Sequence, residues 1–178
     1  LIWRHDIKVI HARSYPSALI ALVLKKIFGI KFIFDMRGFW ADERVDGEIW
    51  KEDSAIFKAT KRLEKSFLLN ADHILSLTHA AINEMEKFSY IKSGTLPISV
   101  ISTCVDLNSF TPREKNVQGK SFILGYLGTV GTWYLFEETV RAFKILLNQR
   151  ANSKILIVNR GEHEFILDTL KRFMVPME

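Results

Sequence analysis

The feature that most constrains this chain is an alternation between short runs apolar on both faces and longer segments with helical spacing. "IKVIHA" (Ile7 to Ala12) is β-branched and short, and "SYPSALIALVLKKIF" follows it with Pro16 where a first helical turn tolerates proline. "IKFIFDM" is a second continuous apolar run. From Asp53 to Asn70, Ile56, Phe57, Leu63, Phe67 and Leu68 then recur at helical spacing against charged residues. "HILSL" reads as a strand, "THAAINEMEKF" as a helix with Thr78 at its N-cap, and "ISVIS" as a further strand. Strands joined through helices run parallel, and runs apolar on both faces predict a sheet covered on each side.

The alternation breaks between Thr103 and Lys120. "TCVDLNSFTPREKNVQGK" is polar, carries Pro112 and Gly119, and sustains no period. It restarts with "SFILGYL" as strand, "GTVGTW" as a glycine loop, "YLFEETVRAFKILLNQ" as helix, "SKILIV" as strand and "EHEFILDTLKRF" as helix. The expected class is α/β, with two Rossmann-like parallel-sheet units over 1–102 and 121–178 joined by a linker over 103–120. No solenoid repeat or low-complexity tract interrupts this order.

Composition bounds the partners. The 178 residues carry a formal charge of +5, which suits phosphate-bearing ligands or an anionic membrane face but specifies neither. The cations are spread along the chain without a nucleic-acid-binding signature, so no nucleic-acid partner is expected. The run "ALIALVLKKIFGIKFIF" is broken by Lys25, Lys26, Gly29 and Lys31, short of a membrane span. A single cysteine, Cys104, permits no internal disulfide and fits a reducing cytoplasm. The chain opens on Leu1 and closes at Glu178 inside a helical pattern, which reads as a segment of something longer.

Open parallel sheets collect ligands at the carboxyl ends of their strands. There this sequence places His11, Arg13 and Ser14 after the first strand, Asp35, Arg37 and Gly38 after the second, and Ser76, Thr78 and His79 after the third. An arginine fork, a histidine and hydroxyls on one edge suit a polyhydroxylated or phosphorylated ligand. Each also has a plainer role: His11 bonded to backbone, Ser76 and Thr78 as caps, Arg37 paired with Asp35 or Asp42. In "GYLGTVGTWY" the glycines Gly125, Gly128 and Gly131 recur every third residue, which is not the dinucleotide spacing. The loop nevertheless follows a strand and opens a helix, the setting in which backbone N–H groups cradle phosphate. A tight strand-to-helix turn needs such glycines as well. The acids from Asp42 to Asp53 read as a solvated loop, with no Asp-x-Asp and no expected metal.

In order, "VIHARSYPSALIALVLKKIFGIKFIFDMRGFWADE", "ADHILSLTHAAINEM", "ISVISTCVDLNSFTP", "ILGYLGTVG" and "KILIVNRGE" resemble the retaining glycosyltransferases of family 4, which have the GT-B fold. The likeness runs over nearly the whole chain. Its most specific part is "ISTCVDLNSFTP", where Val105, Asp106, Phe110 and Pro112 match the family's interdomain segment and Ser102, Thr103 and Cys104 depart from it. The resemblance implies a nucleotide-sugar donor, UDP- or GDP-linked, on the C-terminal domain and a saccharide or lipid-linked acceptor on the N-terminal one. It implies a cytoplasmic enzyme without metal or other cofactor, with possible peripheral contact to an anionic inner membrane face.

Residue by residue, the resemblance assigns Arg37, with Asp35 beside it, to the catalytic wall and His11, Arg13, Ser14, Trp40 and Thr78 to the acceptor side. Of Phe39 and Trp40, at least one is expected to pack beneath the loop. Gly128, Thr129, Val130, Gly131 and Thr132, with Asn159, Arg160 and Gly161, fall on the donor side. The family's usual cation pair after the glycine strand is missing before Arg141, which leaves backbone donors and Arg160 for the diphosphate. The family's opening strands and its later paired-glutamate motif have no counterpart, so the segment alone is expected to be inactive. Two rivals stand: an NADP-dependent oxidoreductase, with Arg160 on a 2′-phosphate, and a non-catalytic nucleotide or saccharide binder.

Overall fold

The computed structural model describes residues 2–111, 121–131 and 134–176. The chain forms two compact units, 1–110 and 111–178. Both are α/β, with parallel strands and intervening helices, consistent with Rossmann-like units. Residues 103–110, read from sequence as linker, belong to the first unit, and 112–120, including Pro112, lie outside the described residues.

The first unit holds β1 (Val9–Arg13), α1 (Ser14–Phe28), β2 (Lys31–Met36), α2 (Trp40–Asp46), α3 (Ala55–Asn70), β3 (His73–Ser76), α4 (His79–Glu86) and β4 (Ile98–Val100). Its sheet has the order β1-β2-β3-β4, all parallel, with Ala12 opposite Phe34 and Phe34 opposite Ile74. Each crossover leads to the next neighbour in the same direction, so right-handed connections lay the helices on one face. The burial alternation follows: Phe32, Phe34 and Met36 are buried, while Lys31, Ile33 and Asp35 are exposed or half-buried. This corrects the expectation of a sheet covered on both sides. The second correction is α2, which occupies the stretch read as an acidic loop; at seven residues it is too short to show a period.

The core lies between β2, β3 and the helices. Phe32, Phe34, Phe67, Ile74 and Met85 have no exposed surface, and each such side chain contributes about 2–3 kcal/mol on burial. Tyr15 meets Phe34 and Phe67 edge-on, each at 5.8 Å between centroids. Helix ends are fixed locally: Ser54 Oγ accepts from Phe57 N at 3.3 Å, and Thr78 Oγ1 accepts from Ala81 N at 3.1 Å.

The second unit holds β5 (Ile123–Leu127), α5 (Phe136–Gln149), β6 (Lys154–Val158) and α6 (His163–Arg172). Its strands pair in parallel with Gly125 opposite Leu156. Phe136, Val140, Phe143, Ile166 and Leu170 pack with Leu124, Tyr126, Ile155 and Ile157, leaving Ile123, Leu127, Leu156 and Val158 exposed on the other face.

Asp72 ties three elements of the first unit together. Its Oδ2 accepts from Lys25 Nζ at 2.6 Å and from Phe32 N at 2.8 Å, and its own N–H donates to Phe32 O at 2.8 Å. The Lys25 hydrogen bond, against a smaller opposing effect of burial, holds its carboxyl below the usual range, helped by Phe32 N and the charges of Lys25 and Lys31. A carboxyl depressed on folding stabilises above its unfolded pKa and loses that contribution as pH falls through the folded value. Asp72→Ala is expected to cost about 1 kcal/mol at neutral pH. The gap from the parent chain should close below about pH 4, measured by urea denaturation at several pH values.

Candidate functional site

The carboxyl ends of β1, β2 and β3 bring the polar residues of the first unit to one edge. Asp35, on β2 opposite Arg13, accepts from His11 Nε2 at 3.2 Å and faces Arg13 Nε at 4.0 Å. Its side chain is largely covered and those of His11 and Arg13 are more than half exposed, so the cluster presents an imidazole and a guanidinium to solvent. Ser14, at the turn into α1, has φ +68°, a left-handed conformation that costs a non-glycine residue energy and is concentrated at functional turns. Arg37 is exposed and makes no hydrogen bond or ion pair among the described residues, because Asp35 is taken by His11 and Arg13 and Asp42 by Lys61.

Next to this cluster, a hollow of about 190 Å³ is lined by Met36, Arg37, Gly38, Ser76, Thr78 and neighbouring apolar side chains. Ser76 Oγ donates to Thr78 O at 3.0 Å, and Thr78 Oγ1 caps α4, so both hydroxyls have structural roles. His79, in the first turn of α4, is exposed. A Cβ at Gly38 would lie 2.1 Å from Glu43 Oε1, the tip of an exposed side chain that could swing aside, so the glycine keeps the Glu43 carboxylate against the loop but is not sterically required.

The loop carrying Arg37 rests on a buried polar network that the sequence did not reveal. Glu64 of α3 has no exposed surface, and its Oε2 accepts from Tyr15 Oη at 2.5 Å. Lys61 Nζ lies 2.6 Å from Glu64 Oε1, an ion pair off the hydrogen-bond direction, and donates to Asp42 Oδ2 at 2.8 Å. Burial, then the Glu64 charge and hydrogen bond, push the Tyr15 phenol well above its ordinary range. Burial works against the Lys61 ammonium, yet the Asp42 hydrogen bond and the close carboxylates of Asp42 and Glu64 outweigh it and raise its pKa. Phe39 meets Phe88 edge-on at 6.1 Å with the Lys61 ammonium 5.8 Å from its ring. Trp40 packs 5.6 Å from Tyr15 and 5.2 Å from Trp50. Both aromatics of the loop therefore pack against the core cluster.

In the second unit the glycine loop is held from β6 and the turn after it. Gly128, at φ +145°, donates its N–H to Val158 O at 3.1 Å and accepts from Asn159 Nδ2 at 2.7 Å. That φ suits glycine alone. Tyr126 Oη donates to Thr129 O at 2.5 Å. Glu162, itself left-handed at φ +55°, sets Oε2 3.1 Å from Val130 N, and a Cβ on Gly131 would lie 3.2 Å from its Oε1. A carboxylate thus occupies a backbone donor that a phosphate would use. Asn159 Oδ1 is buried without a hydrogen-bond partner among the described residues. Arg160 is exposed and, like Arg37, makes no ion pair among them.

The adjoining cavity, about 610 Å³, is lined by Val130, Gly131, Tyr134, Phe165 and the carboxylates of Glu137, Glu138 and Glu162. Glu137 is paired with Arg172 and Glu138 with Arg141, which leaves Glu162 as the carboxylate bound to the loop. A further hollow, at the opposite end of β6 beside Phe143 and Leu147, is remote from these groups.

The first unit thus brings together His11, Arg13, Asp35, Arg37 and Thr78 at or beside one sheet edge, with Ser14 in the turn behind them, and places Trp40 in packing. The second brings Gly128, Thr129, Val130, Gly131 and Asn159 into one hydrogen-bonded turn, with Arg160 and Gly161 in its return; Thr132 lies outside the described residues. Among the described residues no three of His, Cys, Asp and Glu converge as a metal site. Compared with protein-family models and with curated proteins, the chain matches none.

Removing one partner of the buried network should be costly, because it strands a charge. Lys61→Met is expected to destabilise the first unit by about 3–5 kcal/mol and Tyr15→Phe by about 1–3 kcal/mol. Lys61→Met/Glu64→Gln should recover much of the first loss. Urea denaturation followed by fluorescence of Trp40 and Trp50 measures all three.

Proposed function

We propose that the chain supplies donor-side and acceptor-side groups of a retaining glycosyltransferase. It would move a sugar from a UDP- or GDP-linked donor to a saccharide or lipid-linked acceptor at the cytoplasmic face of the membrane. The observation that carries this reading is an exposed arginine without an ion pair after a parallel strand in each unit, Arg37 after β2 and Arg160 after β6. Unpaired guanidinium groups at strand carboxyl ends are suited to phosphate and sugar oxygens. The resemblance in "VIHARS", "DMRGFW" and "VDLNSF" points to the same chemistry.

On this reading Arg160 and the N–H groups of Gly128 to Gly131 stabilise the departing diphosphate, with Glu162 leaving Val130 N to a phosphate oxygen. Arg37 offers its guanidinium to sugar or phosphate oxygens at the edge of the first unit. His11 and Arg13, held by Asp35, receive the acceptor hydroxyls. The hold of Glu162 on the loop favours a second reading, a binder of saccharide that performs no transfer.

Calorimetric titration with UDP, GDP and NADP in parallel separates these readings. The transferase reading expects UDP or GDP to bind and NADP not to. Glu162→Gln, which removes the competing charge, should tighten nucleotide binding by about tenfold, and Arg160→Ala should weaken it by a similar factor. Binding of NADP alone would overturn the proposal in favour of an oxidoreductase. Nucleotide-sugar binding that turns over no acceptor would leave the binder.

A further inference from the structure

Three buried side-chain atoms have no hydrogen-bond partner among the described residues, and two of them are already accounted for. Glu64 Oε1 faces the Lys61 ammonium, and Asn159 Oδ1 belongs to the glycine-loop turn. The third is the hydroxyl of Ser153, a residue 7% exposed at the entry to β6. Its backbone N–H closes the turn from α5 onto Arg150 O at 3.1 Å, but its Oγ gives up water and gains nothing in return.

Ser153 lines the hollow at the far end of β6 from the glycine loop, about 490 Å³ and within the roughly 300–1,000 Å³ of small-molecule sites. Phe143 and Leu147 stand one turn apart on α5, Leu167 and Leu170 one turn apart on α6, and Ile155 and Ile157 face them from β6. The chain leaving α6 makes the end wall. Met174 is left-handed at φ +52°, Val175 N returns to Leu170 O at 2.9 Å, and Lys144 Nζ of α5 donates to Met174 O at 2.7 Å. Ser153 and Lys154 are the polar residues among the described lining, and the other nine are apolar.

We infer that this hollow binds an aliphatic molecule with a single oxygen headgroup, its hydrocarbon chain lying between α5 and α6 and its oxygen accepting from Ser153 Oγ. The apolar walls supply affinity, and the buried hydroxyl, satisfied by a correctly placed oxygen, supplies orientation. Water is a poorer occupant, because a buried water holds its place through about three hydrogen bonds and the lining has two polar side chains. A peptide segment is poorer still, since its backbone N–H and C=O groups would be buried against apolar side chains. The hollow is remote from the groups assigned to the nucleotide, and the inference stands apart from that reading.

Titration of the chain with 1-octanol, followed by methyl NMR, tests this. Saturable shifts are expected at Leu147, Leu167, Leu170 and Val175, and none at Leu127, Leu156 and Val158 on the outer face of the β5–β6 sheet. Ser153→Ala should weaken 1-octanol by about tenfold, and 1,8-octanediol, which carries a second hydroxyl to the apolar end, should bind the parent chain at least as weakly. Ala151→Trp, at an exposed position on the rim, should block entry. Because its hydroxyl has no internal partner, Ser153→Ala should leave the urea midpoint of the free chain unchanged or raised. Shifts that do not saturate or that centre on the outer sheet face overturn the inference. So do undiminished affinity in Ser153→Ala or Ala151→Trp, equal binding of the diol, and a lowered midpoint for Ser153→Ala without ligand.

Discussion

A carboxylate with no exposed surface, Glu64, sets the terms on which the first unit holds together. Its charge is tolerable only because the Tyr15 hydroxyl and the Lys61 ammonium reach it from α1 and from one turn back on α3. Lys61 in turn holds Asp42 of α2, so one network fixes α1, α2 and α3 against each other. The loop from Arg37 to Phe39 lies between β2 and α2, with Phe39 under the Lys61 ammonium, and its position follows from that network. An exposed arginine can be aimed because its support is buried and paired.

Connectivity supplies the other constraint. Consecutive parallel strands joined by right-handed crossovers place all the helices on one face and all the outgoing loops at one edge. His11, Arg13, Asp35, Arg37, Ser76 and Thr78 reach that edge from the carboxyl ends of three strands and the turns that follow them. In the second unit the equivalent edge is organised by Asn159 and Glu162, which reach from the β6 side to the backbone of the glycine loop.

Strands and long helices were legible because their patterns are strong. "KFIFDM" is strand-like in any register, and α3 and α5 each run for 14 residues or more with a clear apolar stripe. Seven-residue α2 was not legible, since "WADERVD" offers too few turns for a period and its acids resemble a loop. Nor was coverage on one sheet face, because "KFIF" is apolar on both sides while burial distinguishes Phe32 and Phe34 from Ile33. The polar edge could be read from the residues that follow each strand, but its internal pairing could not. Tyr15 and Glu64 are 49 positions apart, and nothing local marks Glu64 as buried. Glu162 was missed because its contact with Val130 depends on its own left-handed turn.

The central claim is that the groups following β5 and β6 bind the nucleotide of a nucleotide-sugar donor. Amide hydrogen exchange across the chain, with and without UDP or GDP, tests it most directly. The account predicts slowed exchange at Gly128 to Gly131 and Asn159 to Gly161, with β2 and β3 unchanged. Slowing confined to other segments, or a response to neither nucleotide, would contradict it.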